Sequence, residues 1–189
     1  MRFLLVLLTS IVAASTHADW QLDPAASKLY FVTTKASHVA EVHQFKRLEG
    51  KVDSQGNAEL TIDLSSVDTG IEVRDQRMQE MLFEVAKYPK ATLSAKVDAG
   101  VLALPVGKGQ NLTMDGKLSI HGQTAAVSSI ADVQRLSANE LSVVSAKPII
   151  VNAKDLDLVA GVEKLREVAG LPSISYSVIV TYDLVFKNK

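Results

Sequence analysis

Three side chains of types that take part in chemistry lie close together in the first third of the chain: Lys35, Glu41 and His43. The β-branched and aromatic run around Phe31 predicts a strand, and alternation along a strand puts Phe31 and Lys35 on one face. On the following strand, alternation puts Glu41 and His43 on the same face as Phe45. If Phe31 and Phe45 point inward, a cation, a carboxylate and an imidazole meet at one end of an apolar interior.

This group of three residues has two interpretations. In the first, Lys35 and His43 donate hydrogen bonds to a phosphate or quinone oxygen of a ligand, and Glu41 holds Lys35 in place. In the second, the group is a salt-bridged and solvated hairpin tip, because charged residues are common beside turns and surface pairs add little stability. A metal site is a weaker alternative, since His38 and His43 are an odd number of positions apart and a strand would point them to opposite sides. We expect no metal ion and no cofactor.

Nothing else in the sequence indicates catalysis. The chain has no cysteine, which excludes a thiolate nucleophile, a zinc–thiolate site and disulfide bonds. The sequence motifs of serine hydrolases, zinc proteases and nucleotide-binding enzymes are absent. We therefore expect a protein that is not an enzyme. An enzyme that uses Lys35, Glu41 and His43 on a bound molecule is a lesser alternative.

Two further cations, Arg74 and Arg77, lie at the start of a predicted helix, where the helix dipole does not favour positive charge. They could clamp an anion. The simpler interpretation is a solvated helix face on which Glu72 and Asp75 balance the charge.

Short strands separated by turns must position these residues. The strands are predicted at residues 27–34, 57–62, 91–97, 112–120 and 174–186, which are rich in β-branched and aromatic residues or alternate between apolar and polar. Residues 53–57, 98–100 and 107–109 carry turn-forming types that fit hairpins between antiparallel neighbours. His121 beside Gly122 is also predicted to be a turn.

Two segments break the strand pattern and predict short helices. Residues 73–88 carry apolar side chains at helical spacing and stop before Pro89. Their stripe of Met78, Met81, Leu82 and Phe83 could close the mouth of a pocket or be ordinary core. Residues 155–169 carry a second stripe, with Asp155 as a predicted N-cap and Gly170 and Pro172 beyond the end.

Many strands with two short helices predict a mainly all-β protein, either an antiparallel barrel or a two-sheet sandwich. The barrel is favoured because the long final strand, residues 173–187, would otherwise leave an open edge. No linker divides the chain, so we expect one domain over residues 19–189.

Residues 1–18 have the pattern of a cleavable secretory signal, with Arg2 before an apolar run and small residues at Thr16 and Ala18. An uncleaved anchor is the alternative. The apolar run is short for a bilayer core of about 30 Å, so we expect an exported protein without stable membrane insertion. The 20 basic and 21 acidic residues are intermixed, which disfavours nucleic acid as a partner. The sequence is compatible with a monomer or a homodimer.

Several pieces of sequence, in order, resemble the YceI-like family. These are WQLDP at 20–24 followed by Ser27 and Phe31, Phe45 with LEG at 48–50, VDTG at 67–70 with RD at 74–75, MLFEV at 81–85 before KYP at 87–89, and GKLSIHG at 116–122. Together they span nearly the whole of residues 19–189. The chain departs from the family's pattern where Lys35 replaces a common histidine, where His43 replaces a common glycine, and at residues 148–153, which replace a strand motif containing arginine.

The resemblance implies an eight-stranded, antiparallel, lipocalin-like barrel that holds an amphiphilic molecule with a long isoprenoid chain, such as a polyprenyl phosphate or an isoprenoid quinone. It also implies a periplasmic location, in agreement with the signal pattern. Alternation and the resemblance together predict the apolar interior residues: Phe31, Phe45, Leu60, Ile62, Phe83, Leu93, Leu118, Ile120 and Val178.

The leading hypothesis is therefore a periplasmic protein that carries or sequesters an isoprenoid lipid. The rival hypothesis is a structural or stress-protective module whose barrel is filled by its own side chains and whose surface binds a protein partner. The two differ in whether the purified protein contains a lipid.

Overall fold

The computed structural model describes residues 19–188, so the predicted signal segment at 1–18 lies outside the described residues. A single sheet of 12 strands accounts for most of the structure. In chain order the strands are β1 (Trp20–Leu22), β2 (Lys28–Lys35), β3 (Val39–Phe45), β4 (Leu48–Val52), β5 (Asn57–Asp63), β6 (Val67–Asp68), β7 (Lys90–Lys96), β8 (Gly109–Ile120), β9 (Gln123–Ser137), β10 (Glu140–Ser145), β11 (Ile149–Asn152) and β12 (Ser177–Asn188).

Two α-helices and several short helical turns connect the strands. Helix α1 covers Glu72–Arg77 and runs directly into a π-helical turn at Met78–Leu82, and helix α2 covers Val159–Val168. Single turns of 3₁₀-helix lie at Leu64–Ser66, Ala99–Ala103 and Ala153–Leu156. No helix within residues 19–188 is long and apolar enough to cross a membrane.

The sheet closes on itself as a barrel in which consecutive strands are neighbours. Strands β1 and β2 both pair with β12 and together act as one bent strand of the wall. Strand β4 pairs with β1 and strand β3 pairs with β2, so β3 and β4 together act as the next bent strand. Strands β5, β7, β8 and β9 follow in order, and β10 and β11 return to β12. Every pairing is antiparallel. The predicted eight-stranded barrel is confirmed, and the two-sheet sandwich is not formed.

Alternation works as predicted along the strands. On β5, Leu60 and Ile62 are buried inside the barrel while Thr61 lies on the other face. The turn between β8 and β9 consists of His121 and Gly122, both with positive φ, as a two-residue hairpin requires. This confirms the predicted turn.

One end of the barrel, here named the closed end, is filled with large side chains. Its core consists of Trp20, Leu22, Val52, Val97, Val101, Val133, Leu141, Leu184 and Phe186, all buried. The guanidinium of Arg135 lies 4.6 Å from the centroid of the Trp20 ring and covers it. These contacts make the closed end a packed hydrophobic core.

The first predicted helix was too long. The predicted segment of 73–88 is helical only to Leu82, because the N–H of Phe83 bonds the carbonyl of Met78 five residues back and Glu84 has a φ of +49°. That left-handed residue follows the end of the helix and lies five positions before Pro89. Proline therefore did not set the boundary.

The N-cap predicted for the second helix was wrong. Residues 153–156 form a separate 3₁₀ turn, which the Asn152 side chain caps by accepting from the N–H of Lys154. Asp157 has a φ of +53°, a left-handed conformation that interrupts the helical backbone, so α2 starts only at Val159. Asp155 lies inside the 3₁₀ turn and caps nothing.

The final strand begins later than the predicted residue 174. It starts at Ser177, and Ile174 makes only an isolated bridge to Lys35.

Helix α2 packs closely on the π-helical turn over the end of the barrel opposite the closed end. A Cβ atom on Gly161 would lie 2.8 Å from both the Leu82 Cα and the Met81 carbonyl oxygen. The absence of a side chain at Gly161 therefore allows the two segments to touch. Together they form a roof over the barrel.

Candidate functional site

A cavity of about 440 Å³ lies between the barrel wall and this roof. Its volume falls within the range of about 300–1,000 Å³ that is common for small-molecule sites. All nine residues predicted for the apolar interior line it: Phe31, Phe45, Leu60, Ile62, Phe83, Leu93, Leu118, Ile120 and Val178. None of the nine residues of the closed-end core does so. The barrel is therefore filled by its own side chains at one end only.

A chain of aromatic contacts runs along one wall of the cavity. The ring of Phe31 lies 5.3 Å from the imidazole of His43 and 5.1 Å from Phe45, between ring centroids. Phe45 in turn lies 5.9 Å from Phe83, which follows the π-helical turn. The roof is thus joined to the β2–β3 hairpin by side-chain packing, and the wall presents ring surfaces to a ligand.

The roof lines the cavity with apolar residues from both helical segments, of which the sequence had assigned Phe83 to the interior and the stripe of Met78, Met81, Leu82 and Phe83 to the mouth of a pocket or to ordinary core. From the first helical segment, Met78, Leu82 and Phe83 line the cavity, whereas Met81 does not. From the second segment the contributing residues are Leu156, Leu158, Val162 and Leu165. The helical spacing of the second stripe was visible in the sequence, but which strands it would face was not.

The predicted polar group lies at one end of the cavity. Lys35, Glu41 and His43 all line it, together with Arg74 and Arg77 from α1. The Nζ of Lys35 lies 2.7 Å from Oε2 of Glu41, and Nη1 of Arg74 donates to the same oxygen at 2.8 Å. The hydrogen bond from Lys35, followed by the charge of Arg74, lowers the pKa of Glu41 despite partial burial. One carboxylate thus holds two cations at the mouth of the cavity.

Arg74 is fixed on three sides. Its Nε donates to Oγ1 of Thr69 and its Nη2 to the Thr69 carbonyl, both at 2.8 Å. Oγ1 of Thr69 also donates to Asp75 at 2.6 Å. These bonds, with the one to Glu41, tie α1 to the β2–β3 hairpin. The interpretation of Arg74 as part of a solvated helix face was wrong.

His43 is the most buried polar member of this group, with 5% of its surface exposed. Its Nε2 shares a hydrogen bond of 3.0 Å with the hydroxyl of Thr33, while no group among residues 19–188 bonds its Nδ1. Burial, followed by the nearby charge of Arg74, lowers the pKa of the imidazole. Burial thus favours the neutral imidazole, and its buried Nδ1 is a ring nitrogen without a partner among residues 19–188.

A second polar pair lies inside the barrel and was not predicted. The hydroxyl of Tyr182, which lines the cavity, lies 2.7 Å from the hydroxyl of Ser129, and both residues are buried. Burial raises the pKa of Tyr182. Alternation on β12 indicates that Tyr182 faces inward with Val178, but it gives no sign of the Ser129 partner.

The geometry offers an incomplete catalytic arrangement. Thr33 and His43 are close enough for a hydroxyl nucleophile and its base, but such a base is normally oriented by a third group, and no described residue bonds Nδ1 of His43.

The two histidines of the weaker metal-site alternative differ in burial: His38 is exposed on the β2–β3 turn, whereas His43 is buried. Within residues 19–188 no group of three or more His, Asp or Glu side chains is arranged to hold a metal ion. The arrangement is suited to holding an amphiphilic molecule, apolar along the barrel and polar at one end.

The comparison with known proteins covers almost the whole described chain. The model of the YceI-like domain matches residues 20–186. A polyisoprenoid-binding domain from Saccharophagus degradans, implicated in plant cell wall breakdown, is 41% identical and superposes with a TM-score of 0.87, covering 90% of this chain and 98% of that one. No curated protein matches the chain.

Two more distant structures share the fold. BcnA of Burkholderia cenocepacia is 23% identical with a TM-score of 0.68, over 87% of this chain and 98% of its own. A YCEI protein of Campylobacter jejuni is 17% identical with a TM-score of 0.54, over 78% of this chain and 84% of its own. Taken with the match over residues 20–186, these similarities show that the chain belongs to the YceI-like domain family.

Proposed function

We propose that the protein is a periplasmic carrier that sequesters an amphiphilic isoprenoid lipid inside its barrel and does not transform it. The observation that carries the proposal is the cavity of about 440 Å³, lined by apolar side chains and ending on Lys35, Glu41 and His43. The polyisoprenoid-binding description of the Saccharophagus degradans domain supports the class of ligand. The signal pattern at residues 1–18 supports export.

The energetics favour such a ligand because each methylene moved from water to an apolar site contributes about 0.8 kcal/mol. An isoprenoid chain gains this along its whole buried length. The polar residues at the cavity end contribute orientation, since a head group can remain near solvent while the chain enters the barrel. The aqueous periplasm is where such a shielded carrier is needed.

The polar end accommodates the two alternative head groups differently. A phosphate would draw on Lys35 and Arg74, yet both already bond Glu41 and would have to divide their charge. A quinone oxygen would accept a hydrogen bond from Nδ1 of His43 if the Thr33 hydroxyl donates to Nε2, and its ring could pack against Phe31. Both head groups stay within the proposal.

The first test is native mass spectrometry of protein purified from the periplasm of its own host, followed by organic extraction. We expect one isoprenoid molecule per barrel and the same molecule after prolonged incubation, since a carrier leaves its cargo unchanged. A barrel that is empty and also takes up neither added polyprenyl phosphate nor added quinone contradicts the proposal. A cargo that is converted during incubation contradicts the non-enzymatic part of it.

A matched pair of variants locates the binding site. Leu118 faces the cavity and Lys117, its neighbour on β8, is exposed on the outer face. In Leu118→Trp the added indole occupies cavity volume, so lipid uptake should fall at least tenfold while the barrel stays folded by circular dichroism. Lys117→Trp should bind as the wild type does. Equal binding by both variants contradicts a site inside the barrel.

A second pair of variants distinguishes the head groups. His43→Leu removes the free ring nitrogen and should weaken binding of a quinone more than binding of a polyprenyl phosphate. Lys35→Met removes a cation and should have the opposite preference. Because both ligands share the chain, the ratio of their dissociation constants isolates the head group from the burial of the chain.

A further inference from the structure

The floor of the cavity, where it meets the closed end, carries two hydroxyl groups. Along β12, Val180 lines the cavity, whereas Leu184 belongs to the closed-end core. Tyr182 lies between these two inward residues, so it marks the level at which the cavity ends. Ser129 takes the corresponding place on β9, two positions after Val127 of the cavity wall. The hydroxyl groups of Ser129 and Tyr182 therefore meet at the floor.

This pair of hydroxyl groups has one proton more than it uses. Oγ of Ser129 and Oη of Tyr182 lie 2.7 Å apart and share one hydrogen bond, which takes one of their two protons. No other group among residues 19–188 bonds either hydroxyl. Ser129 is 9% exposed and Tyr182 6%, so neither hydroxyl lies in bulk solvent. A buried donor without an acceptor is costly, and the second proton therefore needs an acceptor from outside the described chain.

The unused proton belongs to Tyr182. The side chain of Tyr182 lines the cavity and that of Ser129 does not, so only the phenol can reach a molecule held there. In the arrangement that serves both groups, Ser129 donates to Oη of Tyr182, and Tyr182 donates into the cavity. Burial raises the pKa of Tyr182, so the phenol keeps its proton. Ser129 is then a positioning residue, because the bond that it donates fixes and polarises the phenol.

We propose that the hydroxyl of Tyr182 binds a neutral oxygen acceptor, a carbonyl, ether or hydroxyl oxygen, on the part of the ligand that lies deepest in the barrel. A charged group does not suit the floor, because it would be buried against apolar side chains such as Leu29 and Val180 with one hydroxyl to compensate it. The inference rests on the proposed function, in which a molecule with an apolar chain occupies the cavity. It adds a second polar contact to the one at the mouth.

The two polar contacts lie far apart along the barrel. Leu29, which pairs with Tyr182, and Lys35 at the mouth are six positions apart on β2, or about 20 Å along the strand. A chain that spans this distance passes Phe31, another residue of the cavity wall. If its deep end is only hydrocarbon, the Tyr182 proton stays without an acceptor, whereas a neutral oxygen accepts it. The floor therefore selects ligands by the chemistry of the buried end.

The test uses two straight-chain acids of about 20 Å, the distance between the two contacts. Both carry a carboxylate for the cations at the mouth; one ends in a methyl ketone, and in the other a methylene group replaces the ketone oxygen. Calorimetry gives the ratio of their dissociation constants. Tyr182→Phe should shift this ratio at least tenfold against the ketone. Tyr176→Phe is the control and should leave it unchanged, because Tyr176 also lines the cavity but already donates its proton to Glu163 at 2.8 Å.

Infrared absorption of the bound keto acid gives a readout on the wild type itself. Its ketone stretch should lie at lower frequency than in an alkane solvent, and Ser129→Ala should reduce this shift while Tyr182→Phe abolishes it. An unshifted ketone, a ratio that is the same in the wild type and both phenylalanine variants, or a wild type that binds neither acid overturns the proposal. Isoprenoid uptake by the same samples decides the carrier proposal separately, so the two failures are distinguishable.

Discussion

The two ends of the barrel obey the same alternation and have opposite interiors. At the closed end, Trp20, Leu141 and Phe186 fill the space between the walls. At the other end, the inward residues Leu93, Leu118 and Val178 leave a cavity of about 440 Å³ between them. Alternation therefore determines which side chains point inward, whereas the covering segments decide whether the interior is filled.

The difference follows from the connections between strands. At the closed end the connections are a turn at residues 53–56, a segment with one 3₁₀ turn at 97–108, and a turn at 138–139. At the cavity end, two turns at 36–38 and 121–122 are short, but residues 64–89 and 146–176 are long segments that contain both helices together with the short strands β6 and β11. A roof of helices can cover an opening without filling it. Long connections at one end are thus what permit a ligand site.

The largest effect should come from emptying the closed end. Trp20→Ala should lower the free energy of unfolding by about 3–5 kcal/mol, because the surrounding core cannot collapse into the space left by the indole. Urea unfolding followed by circular dichroism measures it. Val106→Ala, at an exposed position, should change stability by no more than about 0.5 kcal/mol. A loss below about 1 kcal/mol for Trp20→Ala would mean that the closed end is loosely packed.

The same substitution at the two ends sharpens the comparison. Leu141→Ala at the closed end should cost about 4 kcal/mol, and Leu60→Ala in the cavity wall about 2 kcal/mol, within the usual range for leucine truncation. The cavity already deprives Leu60 of neighbours on one side, so truncation removes fewer contacts. Equal losses in urea unfolding of lipid-free protein would show that the cavity collapses in solution.

Protonation of His43 should affect the cavity end alone. Its pKa is lowered in the folded protein, so between the ordinary histidine pKa of about 6.5 and the lower folded pKa only the unfolded chain binds the proton. Stability should therefore decrease as pH falls through that window and be fully present above it. His43→Phe should flatten this part of the pH profile of urea unfolding. An unchanged slope would show that His43 does not titrate differently on folding.

The smallest effect should come from the ion pairs at the mouth. Lys35→Met should lower stability by less than about 1 kcal/mol, because the pair is partly exposed and Arg74 still bonds Glu41. Arg74→Met should cost more, since Arg74 also holds Thr69. Urea unfolding of both variants beside the wild type gives the order. If Lys35→Met lowered the free energy of unfolding more than Arg74→Met, Lys35 and not Arg74 would be the main partner that stabilises the Glu41 carboxylate.

Much of the barrel could be predicted from the sequence because its signals are local. Alternation around Phe31, Leu60 and Leu118 gives the inward faces, and the resemblance gives the strand number and the closure. The polar end was only half predictable. Lys35, Glu41 and His43 follow from alternation on one hairpin, but Arg74 joins them from a helix far along the chain, and spacing within a strand gives no information on such a contact.

The helix ends were unpredictable for a different reason. Glu84 and Asp157 adopt left-handed backbone conformations that end one helix and delay the other. Neither residue type is glycine, the usual sign of such a position. Packing of Gly161 against Leu82 holds the two segments together and can override local preference. Tertiary contact therefore set these boundaries.

Closure of the ring depends on β12, which follows all the other described strands in the chain. Strand β12 pairs with β1 and β2 on one side and with β10 and β11 on the other. Until residues 177–188 have emerged, the earlier strands can form hairpins but leave two unpaired edges, which are prone to pair with other chains. Pairing of residues 177–188 on both sides is thus the step that closes the barrel, and a chain cut before Ser177 cannot form the closed wall around the cavity.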